Sequence, residues 1–152
     1  MPSTFTLVTR SSASIQALFD ASLSIDAHVD SLRHTGERAI AGVTSGQIGL
    51  GETVTWRARH FGIRFTMTSA ITALDRPHRF VDAQIAGPFR SFEHEHVFGR
   101  DGDATVMTDT LTFASPILGA IAERLVLVPY LRRLIRRRNE HLMSTAERGE
   151  RG

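Results

Sequence analysis

The sequence contains no cysteine and no lysine, because all 18 of its basic residues are arginine. The first absence excludes disulfides, thiolate nucleophiles, Cys-ligated zinc and iron–sulfur clusters, and fits a reducing, cytoplasmic setting. The second excludes Schiff-base catalysis, a lysine-anchored pyridoxal cofactor and a standard Walker A phosphate loop. No other cofactor motif is present, so none is expected. Aromatic residues are sparse, 7% of 152, with one Trp and one Tyr. The longest uncharged runs, 39–51 and 110–122, have 13 residues, short of the roughly 20 that a membrane-spanning helix needs. The first ten residues lack the charged and then apolar pattern of a secretory signal.

What remains is chemistry by histidine, carboxylates, hydroxyls and arginine. The formal charge is +2, but residues 1–116 hold 10 Arg against 12 acids, whereas 117–152 hold eight Arg against four. The basic character is therefore C-terminal, and so small a net charge does not favour a nucleic-acid partner. With 41% hydrophobic and 22% charged residues, the chain has the composition of one folded domain. Its expected extent is residues 1–147, followed by a polar tail at 148–152. The sequence leaves open a monomer or a homodimer.

Apolar and polar residues alternate over 4–10, which predicts a first strand. Ser12 or Ser14 can cap a short helix carrying Ile15, Leu18 and Phe19, and Ser24 a second carrying Ile25, Val29 and Leu32. From residue 37 the pattern has period two and is broken by turn signals at Phe61-Gly62, Asp75-Arg76-Pro77-His78, Gly87-Pro88 and Asp101-Gly102. Strands are expected near 36–43, 52–61, 63–74, 79–86, 89–99 and 104–113. After Pro116 the apolar residues Leu118, Ile121, Leu125, Val128, Leu131, Ile135 and Leu142 recur at helical spacing, interrupted by Arg138. Pro129 lies inside that helix and removes the bond to the carbonyl four residues back, so a kink is expected there.

One strand, two short helices, about six more antiparallel strands and a long helix predict an α+β helix-grip fold. In such a fold a curved sheet wraps a C-terminal helix. The stretch Gly42 to Arg64, with Arg79-Phe80-Val81-Asp82, Gly87-Pro88-Phe89, His94-Glu95-His96-Val97-Phe98, Met107-Thr108-Asp109, Tyr130-Leu131-Arg132 and Arg138-Asn139, resembles bacterial members of the START/polyketide-cyclase superfamily (SRPBCC). That superfamily also includes the birch-pollen allergen type. The resemblance spans residues 36–142 and implies a hydrophobic cavity between sheet and helix, used across the superfamily for lipids, polyketides, plant hormones and aromatic metabolites. A small hydrophobic molecule is accordingly the expected partner.

Counting across Asp101-Gly102 as a two-residue loop sets His96 opposite Met107, His94 opposite Asp109 and Phe92 opposite Leu111. A three-residue loop at Gly87-Pro88-Phe89 sets Asp82 opposite His94 and Phe80 opposite His96. One row then reads Asp82, His94, Asp109, on a face shared with Phe80, Gln84, Phe92, Phe98, Leu111 and Phe113. In one reading Asp82 or Asp109 orients His94 as a general acid or base for a cyclisation, aromatisation or dehydration. In the other the same groups form a self-satisfied polar network that shapes the cavity.

Trp56, Ala58 and His60, facing Phe65 and Met67, read as an aromatic wall. His96, Leu125 and Val128 complete the expected ligand-binding set. His94-x-His96 could begin a metal site with Asp109 or His60, but alternation alone places any such pair on one face, and no metal site is assigned. The glycines at 42, 46, 49 and 51 lack the G-x-G-x-x-G order of a phosphate loop and are read as a flexible rim. Arg132, Arg133, Arg136, Arg137 and Arg138 form a run that is either a solvated helix face or an adaptor surface for anionic partners.

Overall fold

In the computed structural model, residues 2–116 and 119–151 are described. Strand β1 (Ser3–Ser11) leads into helices α1 (Ile15–Ser22) and α2 (Ile25–Ser31), followed by β2 (Arg38–Gly42), β3 (Thr53–His60), β4 (Ile63–Asp75), β5 (Arg79–Ala86), β6 (Ser91–Asp101) and β7 (Ala104–Ala114). A helical turn α3 (Ala120–Ala122) and a π-helical stretch Glu123–Leu127 then open onto α4 (Val128–Arg151). The seven strands form one sheet in the order β1-β7-β6-β5-β4-β3-β2, with every pairing antiparallel. This is the expected helix-grip architecture.

Local chemistry explains the elements. Ser14 and Ser24 accept hydrogen bonds from the backbone N–H of Ala17 and Ala27, capping α1 and α2; each such cap contributes about 1 kcal/mol. At Phe61-Gly62 both residues have positive φ, 54° and 73°, as a type I′ hairpin requires. The turn before β7 differs from expectation. Gly102 and Asp103 form its loop, Asp101 pairs with Ala104, and Gly102 takes the positive φ. Moving a turn by one residue shifts every cross-strand partner by two, so faces are kept and partners change. His96 therefore faces Asp109, and His94 faces Leu111.

The rim between β2 and β3 is pinned rather than free. Ile25 N donates to Gly46 O at 2.8 Å, Gly46 N to Asp26 Oδ2 at 2.8 Å, and Ile48 N to Leu23 O at 3.2 Å.

Two apolar clusters brace the sheet. In one, Phe19 of α1 packs edge-on against Phe80 and Phe98, with ring centroids 5.7 and 5.1 Å away. In the other, Leu131, Leu134 and Ile135 of α4 cover Phe5, Leu7, Leu111 and Phe113. The expected helical stripe holds only from Leu131 onward. Leu118 lies outside the described residues, while Ile121 and Leu125 are exposed, Leu125 by 72%. The π-helical stretch ends at Leu127, two residues before Pro129, with Val128 N reaching back to Glu123 O. That extra residue per turn rotates the preceding segment off the 3.6-residue stripe. α4 runs on to Arg151, with Glu147 accepting from Ser11 Oγ and Glu150 from Ser14 N.

Candidate functional site

Between α4, α2 and the concave face of β3 to β6 lies a cavity of about 460 Å³. Its walls are mostly apolar: Leu23, Ile25, Ile48, Val54, Ile71 and Leu134 with Phe65, Met67, Phe80 and Phe92. Period two delivers these residues, since alternate positions of each strand point inward. Trp56 lines one side and packs against His28 with ring centroids 4.2 Å apart and planes tilted by 35°, and His28 Nε2 lies 3.1 Å from Glu37 Oε2. At the mouth His60 Nδ1 and Tyr130 Oη share a hydrogen bond of 2.5 Å, and the Phe61 ring packs on Tyr130 at 4.5 Å.

The floor is polar. His94 Nε2 donates to Asp109 Oδ1 at 2.7 Å, and His96 Nε2 donates to Asp82 Oδ2 at 2.8 Å. Both bonds run diagonally across the ladder. His96 faces Asp109 and Asp82 faces His94, yet each histidine bonds the carboxylate displaced by two positions. His96 Nδ1 also lies 3.0 Å from Asp109 Oδ1, an ion contact whose angle falls short of a hydrogen bond. The two imidazoles stack at 3.8 Å, and Phe80 stacks on His96 at 4.0 Å. From α4, Asn139 Nδ2 donates to Asp109 Oδ2 at 2.6 Å, and Arg138 Nη1 donates to Asn139 Oδ1 at 2.9 Å while lying 3.9 Å from Asp109.

This geometry fixes the charges. Both nitrogens of His96 face carboxylates, which only accept when ionised, so His96 is an imidazolium. Burial lowers its pKa, but the carboxylates of Asp109 and Asp82 beside its two nitrogens outweigh burial and raise it. Burial and the adjacent His96 together hold His94 below the usual value against the pull of Asp109. Burial opposes ionisation of Asp82 and Asp109 as well; their histidine hydrogen bonds and the nearby positive charge prevail, keeping both low and Asp109 well below the usual range. Two carboxylates, His96 and Arg138 thus sum to zero. His94 is neutral, carries its proton on Nε2, and has no protein partner for Nδ1 among the described residues.

Asp82, His94 and His96 have ligand atoms within 4.8 Å of one another, a spacing that a metal ion could use. The cluster is already balanced by His96 and by the buried guanidinium of Arg138, so it reads as a charge network rather than a metal centre.

Trp56, His60, Phe65, Met67, Phe80, Phe92 and His96 line the cavity, as do His94 and Asp82. Asp109 stands behind the histidines and holds them. The other expected wall residues lie elsewhere. Gln84 binds the backbone of Phe89 through both ends of its amide, Phe98 and Leu111 belong to the packed clusters, and Leu125 is solvent-exposed. Val128 packs against the second cluster, and Val126 and Leu127 reach the cavity instead because the π-turn shifts the register. The arginine run also divides: Arg138 is buried in the floor and Arg132 sits over the Phe5 ring, leaving Arg133, Arg136 and Arg137 on the surface. Sequence reading missed Glu37, His28, Ser69 and Tyr130 as lining groups, and took Arg138 as an interruption. A charged residue on an apolar helical stripe was the available signal for Arg138.

No family model matches the sequence, and no curated protein does. Solved structures do match in fold. TTHA0849 from Thermus thermophilus has a TM-score of 0.73 at 17% identity, covering 94% of this chain and 99% of that one. The Zhui aromatase/cyclase from Streptomyces sp. R1128 has a TM-score of 0.76 at 16% identity over 97% and 95%. Ara h 8.0201 has a TM-score of 0.67 at 12% identity over 95% and 99%. What the chain shares with these structures is the fold, a curved antiparallel sheet against a long C-terminal helix. No helix among the described residues is long and apolar enough to cross a membrane.

Proposed function

We propose that this protein binds one small hydrophobic molecule, aromatic or polyketide-like, in the cavity beneath α4. The observation that carries this reading is the 460 Å³ of apolar-walled space closed by a polar floor. Ligand sites typically enclose about 300–1,000 Å³, with few polar groups to set orientation. The aromatase/cyclase match supports a ring-forming or ring-containing ligand, and the lack of cysteine supports a reducing, cytoplasmic setting. The test is titration with N-phenyl-1-naphthylamine, a neutral dye that brightens in apolar surroundings. One dye should bind per chain, and Ala58→Trp, which fills the cavity from β3, should abolish binding while the fold persists. Absent binding, or binding indifferent to Ala58→Trp, contradicts the reading.

A second reading, a cyclase-, aromatase- or dehydratase-type enzyme, is favoured by His94. Its free Nδ1 borders the cavity while Asp109 anchors Nε2, the arrangement of an oriented general base. Fold alone does not decide between the two. Wild-type protein that converts a poly-β-ketone to an aromatic product, with His94→Gln binding it without conversion, establishes the enzyme. Equal conversion by His94→Gln removes His94 from that role.

A further inference from the structure

We propose that Ser69 reads a hydroxyl group on the ligand, and that the occupant is a neutral, hydroxyl-bearing molecule rather than a carboxylate. This inference rests on the cavity being a binding site.

Ser69 lies on β4, lines the cavity and is 3% exposed, and its Oγ has no hydrogen-bond partner among the described residues. A buried hydroxyl left unpaired costs about 1–3 kcal/mol, so native structures rarely keep one without a reason. Its surroundings supply that reason. Ser69 pairs across the ladder with Gln84, and Ile71, two residues along, pairs with Asp82. Asp82 is thus the diagonal neighbour of Ser69 on the cavity face, about 7–8 Å away, and His94 faces Asp82 from β6. A ligand lying across β4 to β6 meets a free hydroxyl, a carboxylate whose side chain is 25% exposed, and the lone pair of His94 Nδ1.

Two of these three groups only accept, so the ligand must donate. The charges offer an anion no net attraction. Asp82 and Glu37 both line the cavity, the two nitrogens of His96 face Asp82 and Asp109, and Arg138 is turned to Asn139, the Ser22 carbonyl and Asp109. His28 is taken by Glu37 and His60 by Tyr130. Arg138 lines the cavity with N–H groups beyond these bonds, but the floor carboxylates already offset its charge, so a bound carboxylate would add an uncompensated negative charge. A hydroxyl can donate to His94 or Asp82, and a second polar atom or the same oxygen can engage Ser69.

The test is calorimetric titration of wild type and Ser69→Ala with 2-naphthol, naphthalene and 2-naphthoate, together with thermal melts of both unliganded proteins. In wild type, 2-naphthol should bind more tightly than 2-naphthoate. The ratio of 2-naphthol to naphthalene affinity should fall about 2- to 10-fold in Ser69→Ala, the range that one hydrogen bond supplies. The unliganded Ser69→Ala protein should melt at or above the wild-type temperature, since the substitution removes an unpaired polar atom. An unchanged ratio, tighter binding of 2-naphthoate, or a lowered melt overturns this inference and leaves the cavity reading standing. Failure of all three compounds to bind overturns both.

Discussion

Asn139 donates from Nδ2 to Asp109 Oδ2 at 2.6 Å, and this one bond joins the long helix to the polar floor of the sheet. Asn139 also donates to Thr9 Oγ1 at 3.2 Å, so β1, β7 and α4 meet at a single amide. Asp109 in turn accepts from His94 and faces His96. The carboxylate is therefore a positioning group, and it compensates two buried cations.

Asp109→Asn keeps the shape and deletes the charge. It should destabilise the protein by about 3–5 kcal/mol, because only Asp82 then faces His96 and Arg138 and one positive charge stays uncompensated in a buried setting. Urea denaturation at neutral pH measures this. A loss under about 1 kcal/mol would mean that the network is better solvated than its burial implies.

The histidines make stability depend on pH in opposite senses. His96 has a raised pKa, so its contribution is complete below the unfolded value of about 6.5 and is lost as pH rises through the folded value. His94 has a lowered pKa, so the unfolded chain protonates first and stability falls as pH drops below about 6.5. The low values of Asp82 and Asp109 add stability above about pH 4 that is lost on further acidification. Denaturation from pH 5.5 to 9 should show the gap between wild type and His96→Gln widest at the acidic end and narrowing upward. A constant gap contradicts an imidazolium at His96.

At the mouth, Tyr130 ties α4 to the β3–β4 turn through His60 and Phe61. Tyr130→Phe removes the hydrogen bond and keeps the ring. Stopped-flow dye binding should then show association and dissociation both accelerated, with the equilibrium constant changed less than about threefold, since a contact across the entrance alters rates more than affinity. Unchanged rates would place ligand entry elsewhere.

The succession of elements, the caps and the placement of His94, His96 and Asp82 on one face were legible in the sequence because they depend on alternation and local turn chemistry. The Asp82–His94 and Phe80–His96 pairings agree with the structure. Across the other hairpin the glycine at 102, rather than the Asp-Gly pair, took the first turn position, and the partners moved by two. The bonds themselves run diagonally, which residue pairing alone does not specify. Leu125 and Val128 were misplaced because a π-turn resets the helical period without a residue pattern of its own. Ser69 and Glu37 were invisible for a different reason: their importance lies in what they face across the cavity, and that is a property of the closed fold.

The most direct measurement is native mass spectrometry of the protein purified from cell extract under non-denaturing conditions, followed by organic extraction. One retained neutral molecule per chain is expected, ring-containing and hydroxylated, and absent from Ala58→Trp purified alongside. A bare protein mass, together with no thermal shift from neutral aromatic compounds, would contradict that expectation and leave the space beneath α4 without a ligand.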